Sequence, residues 1–351
     1  MEVLRQSDIQ ENQSNHSERQ QDQRNIVFNI QDLKVHFPVS QRFLESLVKK
    51  DSEQKVVKAV DGVSLTVREG ETIGLAGESG CGKTTTAKTM VKLVEPTSGK
   101  VEFNGQDITS FKGKELKKFR KEAQMVFQDP YESLNPRFTV KQTLEEPLII
   151  HGIKNPKERL DRILETLEKV GLRPAQTYIN RYPHQMSGGQ RQRVAIARAL
   201  VIKPKFMVAD EPVSMLDVSI RASILNLLKD LVEELNLASI YISHDLSLIR
   251  YVCDKTAIMY LGRIVEMGPT EEVIREPAHP YSQALLSAVP VPEPNPNGLN
   301  VPLDGEPPNP INIPRGCRFH PRCPVATEKC KEVEPIGRFV DGRWIECHLY
   351  E

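Results

Sequence analysis

The stretch ETIGLAGESGCGKTTTAKTMVKLV, residues 71–94, leaves a chain few choices of fold. IGLA reads as a buried strand, GESGCGKT as a tight glycine turn, and the remainder as a helix. A strand that passes through a turn into a helix is the unit of a parallel sheet with helical crossovers. The pattern returns downstream: KFMVADE and ASIYISHD are apolar runs with polar ends, and helical patterns follow both. The sequence therefore predicts an α/β fold with a mainly parallel sheet.

The glycine turn also carries chemistry. Gly77, Glu78, Ser79, Gly80, Cys81, Gly82, Lys83 and Thr84 fit G-x-x-x-x-G-K-[ST], and Thr85 continues into the helix. The glycines let backbone N–H groups turn toward phosphate oxygens. Lys83 brings a point charge to the β- and γ-phosphates, and Thr84 offers a hydroxyl to Mg²⁺. Cys81 has no base beside it in sequence and reads as a small spacer. The apolar run from Phe206 ends in Asp210 and Glu211. Beside a phosphate loop, Asp210 suits Mg²⁺ and Glu211 suits polarising a water for in-line attack. A second anion-type helix start lies at MSGGQ, with Ser187, Gly188, Gly189 and Gln190.

Composition narrows the partners. Charged residues make up 27% of the chain and the formal net charge is zero, which gives no electrostatic reason to expect nucleic acid. No apolar run approaches the ~20 residues that span a bilayer. Residues 1–24 are polar and glutamine-rich and read as a disordered tail without a signal-peptide core. Residues 25–275 read as the nucleotide-binding domain, with a polar insertion, QRFLESLVKKDSEQK, inside its β-rich start. Residues 276–351 read as a C-terminal extension entered through a proline-rich linker. Four of the six cysteines crowd into it: Cys317, Cys323, Cys330 and Cys347. In a reducing compartment that crowding favours metal or cluster ligation over disulfides.

The glycine loop, MSGGQ, VADE, SMLD and SHD occur in the order that resembles the ATP-binding-cassette (ABC) ATPases. The resemblance implies a P-loop NTPase (RecA-like) core with an antiparallel β subdomain and an α-helical subdomain, plus a short Cys-containing extension. It implies that Gln128 of MVFQDP touches Mg²⁺ and water beside a docked transmembrane partner. It further implies that Ser214 and Asp217 form a subunit-contact loop, that His244 meets the γ-phosphate and that Phe37 stacks on adenine. In this family the signature motif of one subunit covers the ATP held by another, so Ser187–Gln190 would serve a neighbour's nucleotide in an ATP-sandwich dimer.

FQDPYESLNPRFTV, HPYSQALLSAVP and CRFHPRCP resemble the ATPase subunits of oligopeptide/dipeptide importers, in particular the second of their two paired ATPases. That implies ATP and Mg²⁺ as cofactors and a similar ATPase as partner, a heterodimer, with a homodimer as the alternative. It also implies two transmembrane permease subunits, an extracellular substrate-binding protein and a place on the cytoplasmic face of the membrane. The expected cargo is peptide; nickel or oligosaccharide is the alternative, and a soluble cassette ATPase acting on nucleic acid or ribosomes is the alternative from another class. For the tail the resemblance implies a [4Fe–4S] cluster on the four cysteines. Zn²⁺ is the alternative, although the gaps are wider than the usual C-x₂₋₄-C pairs.

Overall fold

The computed structural model describes residues 24–39, 55–287 and 305–351. The polar tail, the insertion and most of the proline-rich linker lie outside the described residues. Two sheets organise the rest. β1 (Ile26–Pro38), β2 (Val56–Arg68), β4 (Ser98–Phe103) and β5 (Gln106–Asp107) form an antiparallel sheet in the order β2-β1-β4-β5. The second sheet runs β11-β12-β10-β9-β3-β8-β7-β6, in which β11 is Arg338–Val340 and β12 is Arg343–Ile345. Its centre is β3 (Thr72–Ala76), β6 (Ala123–Val126), β7 (Phe206–Asp210), β8 (Ala238–Ile242) and β9 (Lys255–Tyr260), all parallel. β10 (Arg263–Pro269) turns back antiparallel to β9.

The unbroken apolar runs of the sequence follow from this arrangement. β3, β7 and β8 are buried at every residue because both faces of the sheet are covered. Phe206 and Val208 face one core, where Phe206 meets Phe28 of β1 at 4.3 Å between ring centroids. Met207 and Ala209 face the other core, with the helices Pro156–Lys169, Gly188–Leu200 and Val218–Leu235. The period-2 alternation of a strand thus divides one run between two layers.

The expected α/β architecture is present, with antiparallel and helical parts flanking the parallel core. The extension is less separate than its composition suggests. Its hairpin, β11 (Arg338–Val340) and β12 (Arg343–Ile345), continues the core sheet, with Glu266 and Met267 of β10 paired to Ile345 and Trp344. Earlier in the extension, Phe319 is fully buried against Tyr260 at the end of β9 and against Tyr281.

Candidate active site

Parallel strands leave their carboxyl ends on one edge of a sheet, and loops from those ends form a crevice there. Here β3 delivers the glycine loop, β6 delivers Gln128, β7 delivers Asp210 and Glu211, and β8 delivers His244. Ala59 of β2 adds a wall from the antiparallel sheet. The resulting cleft, about 390 Å³, is lined by Ser79, Gly80, Lys83, Thr84, Gln128 and Glu211, together with Gly82, Thr85 and His244.

The loop's shape depends on glycine. Gly82 caps the helix Lys83–Met90 at φ 106°, and a Cβ there would stand 2.2 Å from the carbonyl oxygen of Ala59. The loop can therefore press against β2 only without a side chain. Lys83 is 7% exposed, and its ammonium donates to the carbonyls of Gly77 at 2.8 Å and Glu78 at 2.9 Å. Cys81 sits beneath it with Sγ 3.6 Å from Lys83 Nζ. Burial pushes the Cys81 thiol up, which keeps it protonated and suits the spacer role.

Thr84 Oγ1 donates to Asp210 Oδ1 at 3.1 Å. Burial pushes the Asp210 carboxyl up, and the Thr84 hydroxyl pulls it back. A carboxylate and a hydroxyl side by side at the cleft floor are hard oxygen donors, the set that Mg²⁺ prefers. Of the three residues expected at the magnesium site, Thr84 and Asp210 stand together and fit it, while Gln128 turns its amide to Glu211.

Glu211 is the hub. The chain leaves β7 through it at φ 44°, a left-handed conformation uncommon outside glycine, and its N–H bonds to Ile242 O at 3.0 Å. Its carboxylate accepts from Gln128 Nε2 at 2.8 Å and lies 3.1 Å from His244 Nδ1. A carboxylate only accepts, so Nδ1 is the protonated nitrogen of that imidazole. Backbone strain held by three hydrogen bonds is a recurrent mark of a working residue.

The signature segment lies elsewhere. Ser187 is the N-cap of the helix Gly188–Leu200, in a reciprocal capping box with Gln190. Ser187 Oγ accepts from Gln190 N at 3.3 Å, and Gln190 Oε1 accepts from Ser187 N at 3.1 Å. The S-x-x-Q spacing signals that box, a signal the reading of MSGGQ as an anion site passed over. Gly189 has a packing duty: a Cβ would meet Ile220 Cγ2 at 2.7 Å. None of Ser187, Gly188, Gly189 and Gln190 lines the cleft of this chain. Ser214 Oγ donates to Glu211 O at 3.0 Å, and Asp217 precedes the helix Val218–Leu235. Phe37 pairs across to Val57 and is 41% exposed, and it is not among the residues lining the cleft.

The four tail cysteines form no disulfide. With His320 and His348 they line a single small pocket. Burial pushes the Cys317 thiol up to about 12 and raises Cys323 and Cys347 as well. His348 is already committed, with Nδ1 2.8 Å from Glu351 and Nε2 2.8 Å from Val333 O. Among the described residues no three His, Cys, Asp or Glu side chains converge as a ready metal site. The cysteines share a pocket without closing on one point.

A glycine loop that ends at a buried lysine, a strand-end Asp–Glu pair and a histidine on that glutamate define an ATPase of the phosphate-loop class. Comparison with known proteins narrows the class. Residues 60–214 match the ABC transporter family, and residues 265–330 match the oligopeptide/dipeptide transporter, C-terminal region. The chain is 47% identical to a probable peptide ABC transporter ATP-binding protein of Sinorhizobium fredii, over 92% of this chain and 90% of that one. It is 46% identical to an oligopeptide transport ATP-binding protein of Bacillus subtilis, over 92% and 97%. Among solved structures, a dimeric ATP-binding cassette in a post-hydrolysis state with ADP and Pi matches at TM-score 0.60 and 29% identity. That match covers 69% of this chain and 98% of the other. The chain belongs to the ATP-binding subunits of ABC transporters, in the branch that carries the oligopeptide/dipeptide C-terminal region. It binds and hydrolyses ATP.

Proposed function

We propose that this chain powers the import of di- and oligopeptides. It would pair with a similar cassette ATPase, on the cytoplasmic face of a membrane, beneath two transmembrane subunits fed by an external substrate-binding protein. One observation carries the pairing: Lys83, Thr84, Gln128, Glu211 and His244 share one cleft, and the signature helix start stands outside it, on the surface. Beyond capping its own helix and packing Gly189 on Ile220, such a segment is placed to meet another subunit's nucleotide. Met215 and Val218, 63% and 78% exposed beside Asp217, give the same surface an apolar contact for that partner. A groove of about 210 Å³ lined by Val91, Leu93, Met125, Phe127 and Ala199 adjoins Gln128 and suits a segment of the transmembrane subunit. Among the described residues no helix is long and apolar enough to cross a membrane.

In this proposal the loop N–H groups and Lys83 hold the β- and γ-phosphates, and Thr85 continues the cradle. Phe37, outside the lining of the phosphate cleft, would stack on a base that extends beyond it. Thr84, Asp210 and Gln128 would hold Mg²⁺, which would supply neutralisation of charge on the phosphate oxygens. Glu211 polarises the attacking water, and Gln128 and His244 hold the carboxylate that does so. The expected result is that the tagged chain, purified from detergent-solubilised membranes, brings integral membrane proteins and a second cassette ATPase with it. Recovery with ribosomes or nucleic acid alone refutes the transport assignment.

For the tail we propose a [4Fe–4S] cluster held by Cys317, Cys323, Cys330 and Cys347. Its support is that four unpaired thiols line one pocket while the neighbouring His348 is fully engaged. Metal binding would displace the thiol protons that burial retains, and would fold a segment with little core of its own. Anaerobically purified protein is expected to absorb in the visible and to carry iron and sulfide. Stoichiometric zinc in a colourless protein replaces the cluster with a zinc site. Neither metal, with Cys323→Ser as stable as the parent, leaves four free thiols.

A further inference from the structure

We infer that the C-terminal extension is part of the nucleotide site: Arg322 is a positioning residue that binds and neutralises Glu78 of the phosphate loop. This rests on the ATP site described above and extends it to a residue outside the cassette motifs. Arg322 meets Glu78 in a two-pronged pair, Nη1 to Oε2 at 2.7 Å and Nη2 to Oε1 at 2.9 Å. Its side chain is 4% exposed, and that of Glu78 is 22% exposed. Tyr260 lies beneath the guanidinium, whose carbon is 5.9 Å from the ring centroid. The N–H of Glu78 donates to the hydroxyl of Tyr281 at 2.9 Å. Glu78 is thus held at both its carboxylate and its backbone.

The consequence is electrostatic. Glu78 stands between Gly77 and Ser79, and its carbonyl accepts from the Lys83 ammonium at 2.9 Å. A free carboxylate at this point would oppose a triphosphate in the cleft. Paired with Arg322 it is turned away: Ser79 and Gly80 line the cleft and Glu78 does not. A planar guanidinium suits this task because its fork fixes both carboxylate oxygens. A second arginine of the same turn reaches β2. Arg318 donates to Leu261 O and to Asp61 Oδ2, both at 2.5 Å, and Asp61 lies on β2 two residues past Ala59. Arg318 follows Cys317 and Arg322 precedes Cys323, so the turn that holds two tail thiols also carries both arginines.

The test is ATP binding by the full-length chain, followed with a fluorescent ATP analogue and Mg²⁺. Removing one member of a buried pair leaves the other charge uncompensated, so R322Q is expected to raise the Kd about tenfold or more. The E78Q/R322Q double variant should recover most of that loss, because it removes the carboxylate that repels phosphate. A merely structural role for Arg322 predicts no such rescue. Thermal melting without nucleotide reports whether each variant folds. R322Q binding within twofold of the parent overturns the inference, as does a loss that E78Q leaves in place. If R322Q does not fold, E78Q alone decides: a Kd at or below that of the parent supports the inference, and a higher one overturns it. Failure of the parent chain to bind ATP would instead strike the site assignment itself.

Discussion

Glu211→Gln is expected to slow ATP turnover by about 100-fold or more while ATP still binds, the range that loss of a general base produces. The structure explains why the change should be confined to chemistry. The contacts of the Glu211 carboxylate are polar: it accepts from Gln128 Nε2 at 2.8 Å and lies 3.1 Å from His244 Nδ1. A glutamine keeps the shape and one acceptor oxygen, so it still accepts from one of the two. Its new amide donor faces the other, and rotating the Gln128 amide would present an oxygen to it. What is lost is the negative charge that draws a proton from water. ATPase rate and the lifetime of the nucleotide-bound dimer, measured in the assembled transporter, check this together. Turnover close to the parent's would remove Glu211 from the mechanism.

Lys83→Ala and Ser187→Arg are expected to damage different nucleotides. Lys83 is buried at the base of this chain's own loop, so its loss should empty that loop. Ser187 is exposed at a helix start outside the cleft. Arginine there costs the cap about 1 kcal/mol of helix stability, which a 13-residue, well-buried helix can absorb. Its bulk should instead block contact with the partner's ATP. An occupancy assay that distinguishes the two loops is expected to show Lys83→Ala vacating its own site and Ser187→Arg vacating the partner's. Transport and coupled hydrolysis should fall at least tenfold in both, because the ATP sandwich needs both faces. Loss of nucleotide from this chain's own loop in Ser187→Arg would reverse the cross-subunit assignment.

Several parts of the molecule were legible in the sequence because their causes are local. The order strand, glycine turn, helix at residues 71–94 is the unit of a parallel crossover, and the run Phe206–Ala209 is uniformly apolar because it is covered on both faces. Thr84 and Asp210, named from motif chemistry, meet at 3.1 Å across 126 residues of chain. That meeting follows once β3 and β7 are both parallel members of one sheet, because their carboxyl ends then share an edge.

Other features were settled only by tertiary structure. The tail's hairpin completes the core sheet beside β10, although composition alone marked the tail as a separate appendage. Edge pairing depends on which backbone groups are left unpaired after the rest of the sheet has formed, and no local pattern records that. The capping box at Ser187 is local and could have been read. That the same helix start stands outside its own cleft came only from the family resemblance and not from the residues themselves, because the direction of a helix face is fixed by what it packs against, here Ile220 and Leu216. Arg322 and Glu78 are 244 residues apart, and nothing in PRC or GESG announces the pair. Sequence determined the chemistry each segment could perform, since side-chain type and spacing along a strand or turn are written there. Only the fold decided which charges face one another, since in a buried pair the partner is chosen by chain topology and not by distance along the chain.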